Sequence, residues 1–97
     1  MYLLVSRYTA PRERIEELVP AHREYLRRHF DAGHFIVSGR RVPWDGGVIV
    51  ARGLSREALD AVIAEDPLTQ AGAAETEVVE FDPLFAAPGL EQLLETL

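Results

Sequence analysis

The feature that most constrains this 97-residue sequence is the order in which two hydrophobic periodicities follow one another. Short runs rich in apolar and branched residues, typical of β-strands, occupy 2–8, 34–40, 46–53 and 75–82. Apolar residues at helical spacing fall between the first and second runs, at 12–33, and between the third and fourth runs, at 55–66. The resulting order, β-α-β-β-α-β, leaves very few topologies open to the chain.

This order is typical of the split β-α-β arrangement, an α+β fold of the ferredoxin-like type. Right-handed crossovers place both helices on one face of a four-stranded antiparallel sheet and leave the other face open. Because the first three strands carry apolar side chains on both faces, the open face would expose a large apolar surface. We therefore expect a homodimer in which sheet packs on sheet.

Individual residues predict where the helices begin. Pro20 interrupts the first helical pattern, so we expect one short turn of helix up to Leu18 and a main helix that starts near Val19. Ser55 is expected to cap the second helix, with acidic residues in the early turns. A loop from Leu68 to Gly72 should then lead to the last strand.

The length suits one domain, 1–97, with a core at 1–83 and a C-terminal extension at 84–97. The extension ends in GLEQLLETL, whose leucine spacing predicts an extra C-terminal helix.

Composition excludes several classes of function. The absence of cysteine removes disulfides and thiolate chemistry and fits a reducing, cytoplasmic compartment. No apolar run approaches the roughly 18 residues of a membrane span. The net charge of −6 would repel a polyanion, so nucleic acid is not expected as a partner and its binding should fail at physiological salt.

Two residues are candidates for chemistry. His22 lies in the apolar stripe of the first helix and is either a core histidine satisfied by one hydrogen bond or a functional imidazole. Asp66 falls at the C-terminal end of the second helix, where the helix dipole disfavours a carboxylate unless water or a donor holds it. If both helices lie on one sheet face, the two could meet as a dyad in which Asp66 orients the imidazole and the free ring nitrogen acts as a general base.

The remaining candidate residues give weaker evidence of function. Ser38 lies on the same side of its strand as Ile36, and either contacts a substrate or is a polar residue of an edge strand. Gly39 would let a ligand approach closely. His22 and His29 are about 10 Å apart along one helix, so they cannot easily share a metal ion. No GxGxxG, GxSxG or P-loop pattern occurs, and no cofactor is expected.

Five motifs in order resemble the YciI-like (YCII-related) family over the region from Met1 to about Pro83. They are LVPAHREYL around His22, AGHFIVSGR with Ser38 and Gly39, GGVIVA from Gly46, IAEDPLTQAG around Asp66, and EVVEF.

The resemblance implies a ferredoxin-like dimer, similar in build to the dimeric α/β-barrel proteins, with an active site around His22 and Asp66. Ser38 falls at the family's serine. The chemistry that the resemblance implies is elimination or dehydrohalogenation of cyclic substrates, with likeness to lactone isomerases, although most members have no assigned activity. Arg40 and Arg41 are candidate anion contacts, and we assign Ser38, Gly39 and Arg41 to substrate binding.

Two hypotheses follow for the function. The first is a cofactor-free lyase or isomerase in which His22 is the base, Asp66 its orienter and Ser38 a substrate contact. The second is a non-catalytic domain that uses the same cavity and dimer surface to bind a small molecule or to assemble with a larger enzyme. Loss of turnover with intact ligand binding in a His22→Ala variant would favour the first.

Overall fold

The computed structural model describes residues 1–96. These residues follow the predicted order of elements, with one short helix added before the last strand. The elements are β1 (Tyr2–Tyr8), α1 (Arg12–Asp31), β2 (Phe35–Arg40), β3 (Gly46–Ala51), α2 (Arg56–Ala64), α3 (Pro67–Gln70) and β4 (Ala74–Glu80), followed by a 3₁₀ helix (Glu91–Thr96). None of these helices combines the length and the apolar character needed to cross a bilayer.

The four strands form one antiparallel sheet in the order β2-β3-β1-β4. β1 is a central strand, as predicted, because it pairs with β3 on one side and β4 on the other. Since side chains alternate along a strand, Tyr2 and Leu4 face one side of the sheet and Leu3 and Val5 face the other.

Both long helices pack on the same side of the sheet. Tyr25 of α1 is buried together with Leu59 and Val62 of α2, and these side chains cover four buried residues of the strands, Tyr2, Leu4, Phe35 and Ala51. The predicted ferredoxin-like α+β fold is therefore confirmed. The side that carries Leu3 and Val5 has no helix from residues 1–96 packed on it in this core.

A second, smaller cluster closes one end of the core. Ile15 of α1 and Leu68 of α3 are buried against Ala73 and Ala74, where β4 begins. Partly buried side chains surround this cluster, among them Tyr8, Leu18, Val19 and Trp44. The short helix α3 therefore contributes an apolar anchor through Leu68.

The prediction that Pro20 breaks the first helix is wrong. α1 runs from Arg12 to Asp31 with Pro20 inside it. Proline lacks the N–H that would bond the carbonyl of Glu16, and its ring crowds that carbonyl. Both residues are exposed, so water can hydrate the freed carbonyl, while Ile15 and Tyr25 on the buried side hold the two halves of the helix to the core.

The second helix begins as predicted but ends earlier. The Ser55 hydroxyl accepts a hydrogen bond from the amide of Ala58 at 3.1 Å, which confirms the N-cap. α2 then ends at Ala64, and α3 occupies part of the predicted loop from Leu68 to Gly72. A four-residue helix is too short to show a hydrophobic period, which is why the pattern missed it.

The C-terminal extension, for which the leucine spacing predicted an extra helix, forms a 3₁₀ helix over Glu91–Thr96. The amides of Leu90 and Leu93 bond the carbonyls three residues earlier, which is the 3₁₀ pattern. Leucines spaced by three residues are compatible with this helix, so spacing alone could not distinguish it. Leu97, the last leucine of the motif, lies outside the described residues.

Candidate active site

A cavity of about 180 Å³ lies between α1 and the helix-facing side of the sheet. Much of its wall is apolar, with Leu4, Val19, Leu26, Ile49 and Ile63 among the lining residues. Polar side chains reach it from several elements, among them His22, Asp66, Ser38 and Tyr8. An apolar cavity of about 150 Å³ can bind benzene. The space therefore suits one ring with a few substituents.

The cavity contains the two residues that the sequence singled out for chemistry. Nδ1 of His22, on α1, lies 2.9 Å from Oδ1 of Asp66, between α2 and α3. The side chains are 21% and 15% exposed, so bulk water reaches the pair only in part. The two residues are brought together because α3 packs against α1.

Asp66 is held by the backbone as well as by the imidazole. It is the N-cap of α3, and its Oδ1 accepts a hydrogen bond from the amide of Leu68 at 3.0 Å. Pro67 follows at the first helical position, where proline is favoured. Of the two possibilities that the sequence left open for Asp66, water or a donor, the structure shows donors. The carboxylate lies at the start of α3, where the N–H groups attract it.

The contact with Asp66 determines the tautomer of His22. A carboxylate can only accept, so Nδ1 must donate, and in the neutral ring Nε2 then carries a lone pair. No hydrogen bond within residues 1–96 engages Nε2, while the side chain lines the cavity. The arrangement leaves a basic nitrogen available to a bound molecule.

Tyr25 contacts the imidazole of the His22–Asp66 pair. Its ring stacks on that of His22 with centroids 6.0 Å apart, and its hydroxyl donates to the carbonyl of Val62 at 2.9 Å. Burial raises the pKa of Tyr25 far above its ordinary value, and the negative charges of Asp66 and Glu65 raise it further. Tyr25 is therefore a neutral, fixed donor and not an acid or base near neutral pH.

A break in strand register determines which face of the sheet the two candidate ligand-binding residues of β2 occupy. The register shifts just after Phe35, so regular alternation from Ile36 cannot assign the faces further along the strand. Ser38 pairs with Ile49, whose side faces the helices, and it lines the cavity. Gly39 also lines the cavity, where it has no side chain to fill the space.

Two adjacent glycines of β3 form the floor of the cavity. A side chain at Gly46 would collide with the backbone carbonyl of Ser6. The hydroxyl of Ser6 accepts from the amide of Gly47 at 3.0 Å and lies 3.3 Å from its carbonyl oxygen. Gly46 therefore allows close approach of β1 and β3, and Gly47 leaves room for the carbonyl of Gly39 in β2.

Of the two candidate anion contacts, the structure brings only one to the cavity. Arg41, which the sequence assigned to substrate binding, pairs with Asp45 at 3.3 Å and is not among the lining residues. Arg40 does line the cavity, on the same side of β2 as Ser38. Arg23 lines it too, and no sequence signal indicated it, because consecutive residues of a helix point about 100° apart.

A second group of histidines lies outside the cavity lining. Nδ1 of the buried His29 is 3.0 Å from Nδ1 of His34, and its Nε2 is 3.3 Å from Oε1 of Glu65. His29 is thus paired with these residues and not with His22. Within residues 1–96, no group of three or more histidines and carboxylates is placed to hold a metal ion.

Comparison with known proteins yields one family and a solved structure. A family model described as the YCII-related domain matches residues 1–82. Among solved structures, the chain is similar to 5-chloro-2-hydroxyhydroquinone dehydrochlorinase from Burkholderia phenoliruptrix AC1100, in complex with 2,5-dihydroxybenzoquinone. The TM-score is 0.69 at 20% identity, and the alignment covers 84% of this chain and 93% of that one. No curated protein gives a significant match.

Proposed function

The chain belongs to the YCII-related domain family, and from this premise we propose that it is a cofactor-free enzyme of the lyase or isomerase type that acts on small cyclic molecules. The observation that carries the proposal is the 2.9 Å contact between His22 and Asp66 at a cavity large enough for one ring. In the tautomer that donates to Asp66, Nε2 keeps its lone pair, and the partly buried His22 side chain belongs to the cavity lining.

In this mechanism, Nε2 of His22 removes a proton from a ring carbon of the substrate. In an elimination, the electron pair of the broken C–H bond forms a new double bond, and the leaving group departs with the pair of its own bond. In an isomerisation, the imidazolium returns the proton to a different carbon. The Asp66 carboxylate stabilises the imidazolium through Nδ1 and keeps the ring in the productive orientation.

Ser38 and Gly39 complete the proposed site. The Ser38 hydroxyl is a donor for oxygen on the substrate, where negative charge develops as the proton leaves. Gly39 leaves room for the ring beside β2. The solved neighbour is named as a dehydrochlorinase and holds a quinone, which supports elimination chemistry on a cyclic compound as the reaction to test first.

Turnover of a panel of halogenated hydroquinones and lactones, measured on His22→Ala and Asp66→Asn, tests the proposal. A general base contributes about 10²- to 10⁴-fold, so we expect His22→Ala to lose at least 100-fold in kcat/KM while it still binds product. Asn also caps helices, so Asp66→Asn should fold, yet it lacks the charge that stabilises the imidazolium. We expect a loss of about 100-fold.

The matched control is His34→Gln, a histidine outside the cavity lining, which should retain turnover. ¹⁵N NMR of the imidazole gives a readout without substrate: the wild type should show the Nδ1–H tautomer of His22, and Asp66→Ala should lose this preference. Full turnover in His22→Ala would overturn the proposed enzyme and leave the ligand-binding or assembly domain as the function of the cavity.

A further inference from the structure

The proposed reaction leaves unused three further residues of the cavity lining, Tyr8, Trp44 and Arg40. The indole Nε1 of Trp44 donates to the hydroxyl oxygen of Tyr8 at 2.7 Å, and the two rings meet edge to face with centroids 5.9 Å apart. The phenol of Tyr8 is therefore held in a single orientation by a short hydrogen bond.

Two cations act on the indole. The guanidinium carbon of Arg40 lies 4.0 Å from the ring centroid of Trp44, and that of Arg12 lies 4.2 Å from it. Two guanidinium groups cannot share the space above one face of a ring, so they lie on opposite faces. Arg12 also donates to the Trp44 carbonyl at 3.1 Å, which fixes it in place. Positive charge on both faces draws electron density from the indole and makes its N–H a stronger donor.

This arrangement polarises the hydroxyl of Tyr8. Its oxygen already accepts from Trp44, and hydrogen bonds in a chain strengthen one another, so its own O–H becomes a better donor. No acceptor for that O–H is found within residues 1–96. The hydroxyl of Tyr8 is thus a partly buried donor at the cavity without an acceptor among the described residues.

The charge around this donor is positive. Arg40 and Arg23 line the cavity, and within residues 1–96 neither has a carboxylate within ion-pair distance. The carboxylate that lines the cavity, Asp66, is engaged by His22 and by the amide of Leu68. An anionic group on a ligand would supply the missing acceptor and the missing negative charge together.

We propose that the Tyr8 hydroxyl, which accepts from Trp44, forms with the Arg40 guanidinium on the Trp44 ring an oxyanion-binding subsite that selects single-ring substrates carrying an anionic oxygen. Phenolates, enolates and carboxylates share this chemistry. The inference rests on the proposed function in that the subsite holds the substrate ring while His22 acts on one of its carbons. Charge that develops on that oxygen during proton removal would be stabilised by the same donor.

Binding of 4-nitrophenol tests the subsite without any turnover, because its phenolate absorbs near 400 nm and its neutral form does not. We expect the wild type to bind the phenolate at least ten-fold more tightly than 4-nitroanisole, a neutral compound of similar shape, and to lower the pKa of the bound phenol. Equal affinity of the wild type for the two compounds would overturn the proposal without any variant.

Tyr8→Phe keeps the ring and removes the hydroxyl. We expect it to weaken phenolate binding about ten-fold or more, the range for hydrogen bonds to charged groups, and to leave 4-nitroanisole binding unchanged. Tyr2→Phe, on the same strand and the same side of the sheet, is the matched control and should bind as the wild type does. Unchanged phenolate binding in Tyr8→Phe would contradict the proposal.

The same titration on His22→Ala separates the two proposals. If the subsite is correct, His22→Ala keeps the preference for the phenolate whether or not it retains turnover. A lost preference in that variant would show that the imidazole, and not Tyr8, attracts the anion, and would overturn the subsite while the proposed reaction still stands.

Discussion

At the scale of the residue, Tyr25 links the candidate site to the core. It is 1% exposed, stacks on His22 and donates to the carbonyl of Val62 in α2. Burial first, and the charges of Asp66 and Glu65 next, hold the pKa of its phenol above the ordinary value. The folded protein therefore keeps Tyr25 protonated at a pH where the unfolded chain has lost that proton.

This difference predicts a loss of stability in alkali. Below about pH 10, Tyr25 is protonated in the folded and the unfolded state alike, so it contributes no pH dependence to stability. Above about pH 10, the unfolded chain releases the proton first, so the free energy of unfolding should fall by about 1.4 kcal/mol per pH unit until the folded phenol ionises too.

Denaturant unfolding between pH 9 and 11, on the wild type and Tyr25→Phe, measures this effect. The variant loses the bond to Val62 and should be less stable at every pH, but its stability should fall less steeply above pH 10. Parallel curves for the two proteins would show that Tyr25 ionises as freely in the folded state as in the unfolded one.

At the scale of the element, α1 shows that a helix can continue through a proline when one side of it is buried. The sequence pattern placed a break near Pro20, yet the helix extends on both sides of it. Ile15 before it and Tyr25 after it are fully buried, so packing holds both halves. The missing hydrogen bond lies on the exposed side of the helix, where water can hydrate the freed carbonyl.

Replacing this proline should stabilise the protein. Pro20→Ala restores an N–H to the helix interior, where proline is about 3 kcal/mol less favourable than alanine, while it adds up to about 1 kcal/mol of chain entropy to the unfolded state. We expect the free energy of unfolding to rise by about 2 kcal/mol.

The control for this measurement is Pro11→Ala, because Pro11 lies at the N-cap and interrupts no helical hydrogen bond. That variant should change stability by less than about 1 kcal/mol. A Pro20→Ala protein no more stable than the wild type would mean that α1 is not continuous at this position.

At the scale of the whole molecule, the sheet face opposite the helices is apolar at its centre, while Arg7, Glu75 and Glu77 lie towards one end of it. Leu3, Val5, Val48 and Val50 are half-buried along its centre, and Val79 at 42% is among the exposed apolar residues. We propose that a second copy of the chain covers this face, because closed two-fold symmetry buries one self-complementary patch on both partners.

Val79→Glu tests the homodimer. The side chain is exposed in the single chain, so the substitution should change the stability of one subunit little, but in a sheet-to-sheet dimer it would bury an unpaired charge. We expect dissociation, measured as a halved mass by sedimentation equilibrium. Val42→Glu, at a loop position that is 97% exposed, is the control and should keep the mass of the wild type. A wild-type protein that sediments as a monomer would rule out the dimer.

The sequence by itself determined the order of the elements, the N-cap at Ser55 and the choice of His22 and Asp66 as the residues to examine. These features are encoded locally: a hydrophobic period spans one element, and a cap acts within one turn. The helical spacing around His22 was enough to predict that its side chain faces inward. The fold class was enough to predict that the two helices lie on one side of the sheet.

Only the tertiary structure decided how the site is built. Asp66 became the cap of a helix too short to leave a pattern, and a shift in strand register decided the face of Ser38. The bond between Tyr8 and Trp44 joins residues 36 positions apart. The register of β2 places Arg40, and not Arg41, at the cavity. Such contacts depend on which elements pack together and in what register, and no local period carries that information.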